Sequence, residues 1–265
     1  MATAIVLAAQ RAGRLDPLAE RAGVSHKCLV PIGGAPLIAH VLATLAATPR
    51  ISEIRIVVEA QAFDTLGPVV RSIGGVPVIL IAAADNLADS VVAGADGAAT
   101  PFVVTTADNV LLSTGAVDDM LDCLAGGAEG AVALATRDAV LAAHPEGQRR
   151  FYEFRDNAYS NCNLYALAGP KALSAAEAFR GGGQFAKSAK RIIAAFGLLN
   201  LLMLRFKLMS VDTAMKRLSK RFGITLRAVI LTDGAHAIDV DNERTYAIVD
   251  QLLPGRQREQ LLAAE

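Results

Sequence analysis

TAIVLAAQRAGRLDPLAERAGVSHKCLVPIGGAPLI, residues 3–38, begins as an apolar run and ends in a turn punctuated by proline and glycine. The run at 3–9 has no polar alternation, as expected of a strand covered on both faces. The loop that follows carries Arg11, Arg14 and Lys27. Guanidinium and ammonium groups at a strand end can collect phosphates through charge-assisted hydrogen bonds. Loops of this kind normally use glycine so that backbone can approach the ligand. Here Gln10 and Ala12 stand where glycines are expected, and a solvated surface loop is the competing reading.

Working outward, similar apolar runs recur at 54–60, 76–83, 102–106 and 130–135. Segments with helical spacing lie between them, at 36–47, 61–73, 86–98 and 114–125. Strands apolar on both faces that alternate with helices predict an α/β fold. It is a three-layer α/β/α, Rossmann-like, mostly parallel sheet. Ligands of such sheets sit at the carboxyl ends of the strands. That puts the loop after the first strand and the TTADN turn at 105–109 on one edge. Beyond residue 145 the chain turns polar and aromatic. Strands are then predicted at 162–167, 225–231 and 236–240, with helices at 243–253 and 255–264. Residues 171–222 read as largely helical, which makes the chain a single domain over 1–265 with a helical insertion at about 171–222.

Three scattered cysteines, Cys28, Cys123 and Cys162, have no metal-ligand spacing, and the N-terminus has no signal-peptide pattern; both predict a cytoplasmic protein. Lys+Arg and Asp+Glu both number 26, so the net charge is zero. The distribution is uneven. Between Arg180 and Arg227 there are eleven basic residues and one acid, Asp212, leaving that segment at +10 and the rest at −10. Within it, IIAAFGLLNLLML is too short to span a bilayer, which takes roughly 20 residues. Three readings of 187–223 stay open: peripheral contact with an anionic membrane at its inner face, a homodimer interface, or plain packing on the sheet. No nucleic acid partner is expected, because the pattern of the common RNA modules is missing.

Two acidic features stand out. Asp108 ends an apolar strand, where a carboxylate is costly unless it is used, for instance to hold Mg²⁺ beside a ligand's phosphates. An N-cap is the alternative. Asp239 and Asp241 alternate with apolar residues, so on a strand they share one face and invite a divalent cation. The alternatives are a wet edge strand, or Asp241 as the cap of the following helix.

Taken together these features resemble the nucleotidyltransferases of the glycosyltransferase-A-like fold. That superfamily spans MobA-like and sugar-phosphate or alcohol-phosphate NTP transferases. Their first motif reads approximately LAAGxGTRLxP and continues as KxLxPIxGxPLI. Leu7, Ala8, Ala9, Arg14, Leu15 and Pro17 match the first part; Lys27, Leu29, Pro31, Ile32, Gly34, Pro36, Leu37 and Ile38 match the second. In that register Gln10 and Ala12 replace glycines, and Gly13 supplies backbone freedom one place away. The resemblance covers 3–140 well, 158–167 and 236–250 moderately, and fails across about 171–222.

The resemblance implies a Mg²⁺-dependent transfer of NMP from an NTP to a small phosphorylated alcohol or sugar, with release of pyrophosphate. Arg14 would grip the pyrophosphate portion and Lys27 would neutralise a phosphate. Asp108 would hold the metal together with Asp239 or Asp241, the former preferred by comparison with the sugar-phosphate branch. Asn161 fits the asparagine of an NTGIY-like strand near the acceptor. The nucleotide would lie along Leu7, Ala8, Ala9, Gln10 and Gly13, with Asp108 and, after the third strand, Asn86 and Ser90; these last two could equally cap a helix. No general base is needed, since a phosphate nucleophile has its second pKa at about 6. CTP is weakly preferred, and the product would suit lipid or envelope synthesis. A molybdopterin guanylyl- or cytidylyltransferase-type enzyme and a non-catalytic nucleotide-binding protein are the rival readings.

Overall fold

A computed structural model describes residues 1–10, 15–173, 203 and 205–263. The expectations for Arg11, Ala12, Gly13 and Arg14, and for most of the apolar stretch at 187–202, lie outside the described residues.

The first strand, β1 (Ala2–Leu7), runs into helix α1 (Pro17–Ala22), a two-residue ladder of β2 (Pro31–Ile32) with β3 (Ala35–Pro36), and helix α2 (Leu37–Ala47). Then come β4 (Ile51–Val58), α3 (Phe63–Ser72), β5 (Val78–Ala82), α4 (Leu87–Ala95), β6 (Phe102–Thr106) and α5 (Thr114–Ala125). The remaining elements are β7 (Gly130–Thr136), α6 (Arg137–Ala143), β8 (Tyr152–Glu153), β9 (Ala158–Leu167), α7 (Val211–Phe222), β10 (Leu226–Leu231) and α8 (Glu243–Ala263).

The main sheet runs β10-β7-β9-β6-β1-β4-β5, with β8 paired to β9. All of these pairings are parallel except those made by β9, which lies antiparallel between β6 and β7 and against β8. The mostly parallel α/β sheet is therefore the one the apolar runs predict.

Burial on both faces explains the unbroken apolar strands. Ala2, Ala4 and Val6 of β1 pack into one cluster with Leu37, Val41 and Leu42 of α2 and Val117 and Met120 of α5. Ile5 points the other way, into a second cluster with Val91 and Ala95 of α4. This is the two-residue alternation of a strand filling two cores. Helix α4 comes so close to the sheet that a Cβ on Gly94 would lie 2.7 Å from Ile5 Cγ2.

Two predicted elements differ. HAIDV (236–240) is not a strand. The Asp233 side chain accepts from Ala235 N–H at 2.9 Å and starts a short 3₁₀ turn, Gly234–Ala237, followed at Ile238 by extended chain that joins no sheet. Gly234 packs against the backbone of α6, where a Cβ would lie 2.2 Å from Ala139 C and Val140 N. That contact takes the place of a ladder. The helices predicted at 243–253 and 255–264 form one helix, α8, which continues through Pro254. Pro254 and Asp250 are both exposed, so the carbonyl deprived of its N–H partner opens to water. The +10 segment contributes α7, whose N-terminus is capped by Ser210 and whose backbone N–H of Val211 also donates to the Asp156 carboxylate at 3.1 Å.

Candidate active site

The carboxyl ends of β1 and β6 lie side by side: Leu7 is in register with Thr106, and Ala107 N–H donates to Leu7 O at 3.0 Å. Asp108 therefore emerges directly beside the first loop. Its own carbonyl accepts from Val240 N–H at 3.2 Å, which ties the 239–241 segment to the same edge. Asp241 N–H in turn donates to Asp239 O at 3.1 Å, a tight local turn. The two aspartates thus converge through a turn rather than by sharing a strand face. Oxygen atoms from Asp108, Asp239 and Asp241 all lie within 4.8 Å of one another.

Lys27 joins them. It sits in a 3₁₀ turn, Lys27–Leu29, held by the β2–β3 ladder and its two-residue turn, Gly33 and Gly34, both with positive φ. A Cβ on Gly33 would meet Leu253 Cδ2 at 2.6 Å, so the turn also needs glycine for packing against α8. The Lys27 ammonium donates to Asp108 Oδ2 at 2.5 Å and to Asp241 Oδ1 at 2.9 Å. Burial opposes the charge on Lys27, but the fields of Asp108 and Asp241 and the hydrogen bonds to them outweigh it, and its pKa lies above the usual lysine value. At Asp239 it is the neutral form that the site favours. Burial, then the neighbouring Asp108 and Asp241 charges, raise its pKa well above the ordinary carboxylate value.

Two amides face Asp239. Asn163 donates from Nδ2 to Asp239 Oδ2 at 2.9 Å, and Gln148 donates from Nε2 to Ala237 O at 2.7 Å and to Asp239 Oδ1 at 3.5 Å. Asn163 occupies an irregularity in the β7–β9 register, with φ +48°. Sequence reasoning singled out Asn161 and missed Asn163. Asn161 lies one step back: its Nδ2 donates to Asn163 Oδ1 at 3.0 Å and to the Tyr165 hydroxyl at 2.6 Å. The signal was present as N-x-N in NCNLY, but only the β9 irregularity turns the second asparagine toward the aspartates. Gln148 had no signal in the sequence.

The other predicted residues fall as follows. Ala8 is buried against β4, with its N–H on Val57 O at 2.9 Å, while Leu7 is partly buried and Ala9 is exposed. Gln10 staples the first loop: its N–H donates to Glu59 Oε1 at 2.7 Å, and its Nε2 donates to Ser25 O at 2.7 Å across the loop. Asn86 is the N-cap of α4, accepting from Asp89 N–H at 3.1 Å and donating to the Asp89 carboxylate. Ser90 is buried and its hydroxyl bonds the backbone of Ala84. Both hold the loop after β5 in shape. Helix α8 is capped by Asn242, whose Oδ1 accepts from Arg244 and Thr245 N–H, so the Asp241 carboxylate is left to face Lys27.

The donor set fits a divalent cation. Three carboxylates against one ammonium leave excess negative charge, and Asp108 Oδ1 is buried with no hydrogen-bond partner among the described residues. An all-oxygen set suits hard ions such as Mg²⁺. Adjacent ligands of an octahedral ion at about 2.1 Å lie roughly 3.0 Å apart, so side chains already within 4.8 Å of one another reach such an ion by rotamer adjustment alone.

A mostly parallel sheet with three aspartates and a lysine gathered at the carboxyl ends of its strands defines an α/β protein with its polar cluster at the edge where such sheets bind ligands. The comparisons sharpen that class. The chain belongs to the family described as MobA-like NTP transferase domain, which matches residues 4–195, and is accordingly a transferase of the nucleotidyltransferase kind. No curated protein sequence matches it. Among solved structures it is similar to a hypothetical transferase from Thermus thermophilus, at 25% identity and TM-score 0.77, covering 92% of this chain and 99% of that one. It shares the fold of the 4-diphosphocytidyl-2C-methyl-D-erythritol synthase from Anaerococcus prevotii, at 11% identity and TM-score 0.61, covering 96% and 98%. It also shares the fold of a CMP:2-keto-3-deoxy-manno-octonic acid synthetase solved with CTP, at 16% identity and TM-score 0.58, covering 96% and 99%.

Proposed function

We propose that the chain acts as one nucleotidyltransferase domain that moves NMP from an NTP, with CTP the favoured donor, to a small phosphorylated alcohol or sugar, releasing pyrophosphate. The observation that carries this reading is the gathering of Asp108, Asp239 and Asp241 around Lys27 at the sheet edge. Two relatives of the same fold named for cytidine nucleotides support CTP.

Asp108, Asp239 and Asp241 would hold Mg²⁺. When bound, the ion supplies positive charge to the phosphates of donor and acceptor and lowers the repulsion between them. The chain's own residues do the rest. Lys27 supplies a point charge to the phosphate under attack, and Arg14 draws the leaving pyrophosphate. Asn163 and Gln148 orient Asp239. Gln10 holds the first loop closed on itself through Ser25, replacing with a side chain part of what glycines do elsewhere. Asn161 shapes the acceptor side of β9 through Asn163. The acceptor phosphate attacks the α-phosphorus, the bond to the β-phosphate oxygen breaks, and no proton need be removed because the nucleophile is already ionised.

Among the described residues no helix is long and apolar enough to cross a membrane. Peripheral contact with an anionic membrane is favoured by the exposed Phe206 and Leu208, which lie just before the basic helix α7. Failure to co-sediment with anionic vesicles at low salt rules that part out. The main test is a screen of each NTP against phosphorylated alcohols and sugars, read as pyrophosphate release. CTP gives the highest rate, and Asp108→Ala abolishes it. Release that survives in Asp108→Ala, or none with any pair, refutes the reading.

A further inference from the structure

We infer that Lys27 is a built-in competitor for the cation at the aspartate triad: its ammonium occupies Asp108 and Asp241, and a metal ion must displace it to bind. The inference rests on the reading of the triad as a metal site and adds how that site is kept when no metal is there.

The Lys27 ammonium lies 2.5 Å from Asp108 Oδ2 and 2.9 Å from Asp241 Oδ1, so it bridges two of the three carboxylates. The Lys27 and Asp108 side chains are only 19% and 16% exposed, so water screens the pair weakly. A divalent ion entering through the buried, unpartnered Asp108 Oδ1 would stand one carboxylate's width from that ammonium. It either takes the oxygens that Lys27 holds or is repelled by its charge. In both cases the two cations exclude each other.

The fold also keeps Lys27 where it is. The 3₁₀ turn that carries it is fixed by the β2–β3 ladder, and Tyr246 OH of α8 donates to Pro31 O at 2.7 Å. The backbone is pinned, so only the flexible side chain can move. A lysine driven off the carboxylates needs another anion, because an unpaired ammonium in a largely buried site is costly. Nucleotide phosphates provide one. Metal loading and phosphate binding are thereby coupled through a single side chain, and such coupling is reciprocal.

The test is Mn²⁺ binding to the full chain without nucleotide, read from the free-ion electron paramagnetic resonance signal. Lys27→Met and, as a second neutral variant, Lys27→Gln bind Mn²⁺ tenfold or more tightly than wild type, whereas Lys27→Arg stays within about threefold. The gain persists at high ionic strength. Independently of the folding of the two neutral variants, Mg²⁺ added to the wild-type chain shifts the ¹⁵Nζ resonance of Lys27, assigned by its loss in Lys27→Arg. Unchanged or weaker Mn²⁺ affinity in both neutral variants overturns the proposal. So does a gain that vanishes in high salt, which marks a diffuse field, or a Lys27 resonance that Mg²⁺ leaves in place. Asp108→Ala separates the two levels: if it still binds Mn²⁺ as wild type does, the metal site itself is misplaced and the reading above fails instead.

Discussion

The Asn163 amide donates to Asp239 Oδ2 at 2.9 Å from a backbone held at φ +48°, and Asn161 fixes which way that amide points by donating to its oxygen. Asparagine is one of the few residues other than glycine that tolerate this conformation. Asn163→Gly therefore keeps the backbone and removes only the amide. Its melting temperature stays close to wild type, while metal affinity and turnover fall about 10- to 100-fold, the usual cost of losing a ligand's hydrogen-bond partner. Asn163→Ala loses the amide and also strains the backbone, so it melts lower than the glycine variant. Calorimetry alongside Mn²⁺ titration separates the two effects.

Asp239 makes stability depend on pH when metal is absent. Burial, then Asp108 and Asp241, raise its folded pKa above the unfolded value of 3.8, so in that window the folded chain binds more protons than the unfolded one. Stability then falls as pH rises from about 4 toward the raised pKa. Denaturant midpoints measured in EDTA show that decline. Asp239→Asn flattens it, and saturating Mg²⁺ removes it in wild type by neutralising the carboxylate.

His236 gives the opposite slope. It is buried, with Nε2 at 2.8 Å from the Ser113 hydroxyl and Nδ1 at 2.9 Å from Asp233 O. Desolvation, aided by the charge of Arg256, outweighs the bond to the Asp233 carbonyl and the charges of Asp233 and Asp119, and lowers the histidine pKa below 6.5. The unfolded chain takes up a proton first, so stability is lost as pH drops below about 6.5. His236→Gln has a lower melting temperature at neutral pH and a shallower slope below it.

Gly234→Ala tests the contact that replaces the expected strand. A Cβ there would lie 2.2 Å from the backbone of Ala139 and Val140, which cannot give way as a side chain can. The substitution costs about 2–3 kcal/mol, read from urea midpoints, and turnover falls with it because the segment bearing Asp239 and Asp241 shifts.

Gln10→Ala cuts the staple from Nε2 to Ser25 O but leaves the N–H bond to Glu59. One exposed hydrogen bond contributes about 1 kcal/mol or less. The expected outcome is a rise in the NTP KM of several-fold with kcat nearly unchanged. A changed preference among NTPs would instead make Gln10 a base-reading residue.

The parallel part of the sheet was legible because strands such as β1 and β7 are apolar on both faces, and that pattern follows from local composition alone. Lys27 and the PIGGAPL turn were legible for a related reason: two glycines at positive φ and two prolines restrict a short segment wherever it occurs. Asp108 was legible as a charge at the end of an apolar strand. The alternation of HAIDV fits a strand, yet the chain enters it from Gly234 packed on the backbone of α6, and Val240 N–H bonds Asp108 O instead of a neighbouring strand.

The sequence by itself determined the α/β class, the edge at which the loop and Asp108 meet, and the residue types gathered there. Only the tertiary structure decided that Asp239 and Asp241 both reach Asp108, that Asn163 rather than Asn161 touches Asp239, and that Lys27 spans two carboxylates. The reason is physical. Strand periodicity and turn propensity act over a few residues, whereas the meeting of Lys27 with Asp241, 214 positions apart, depends on how every element between them packs.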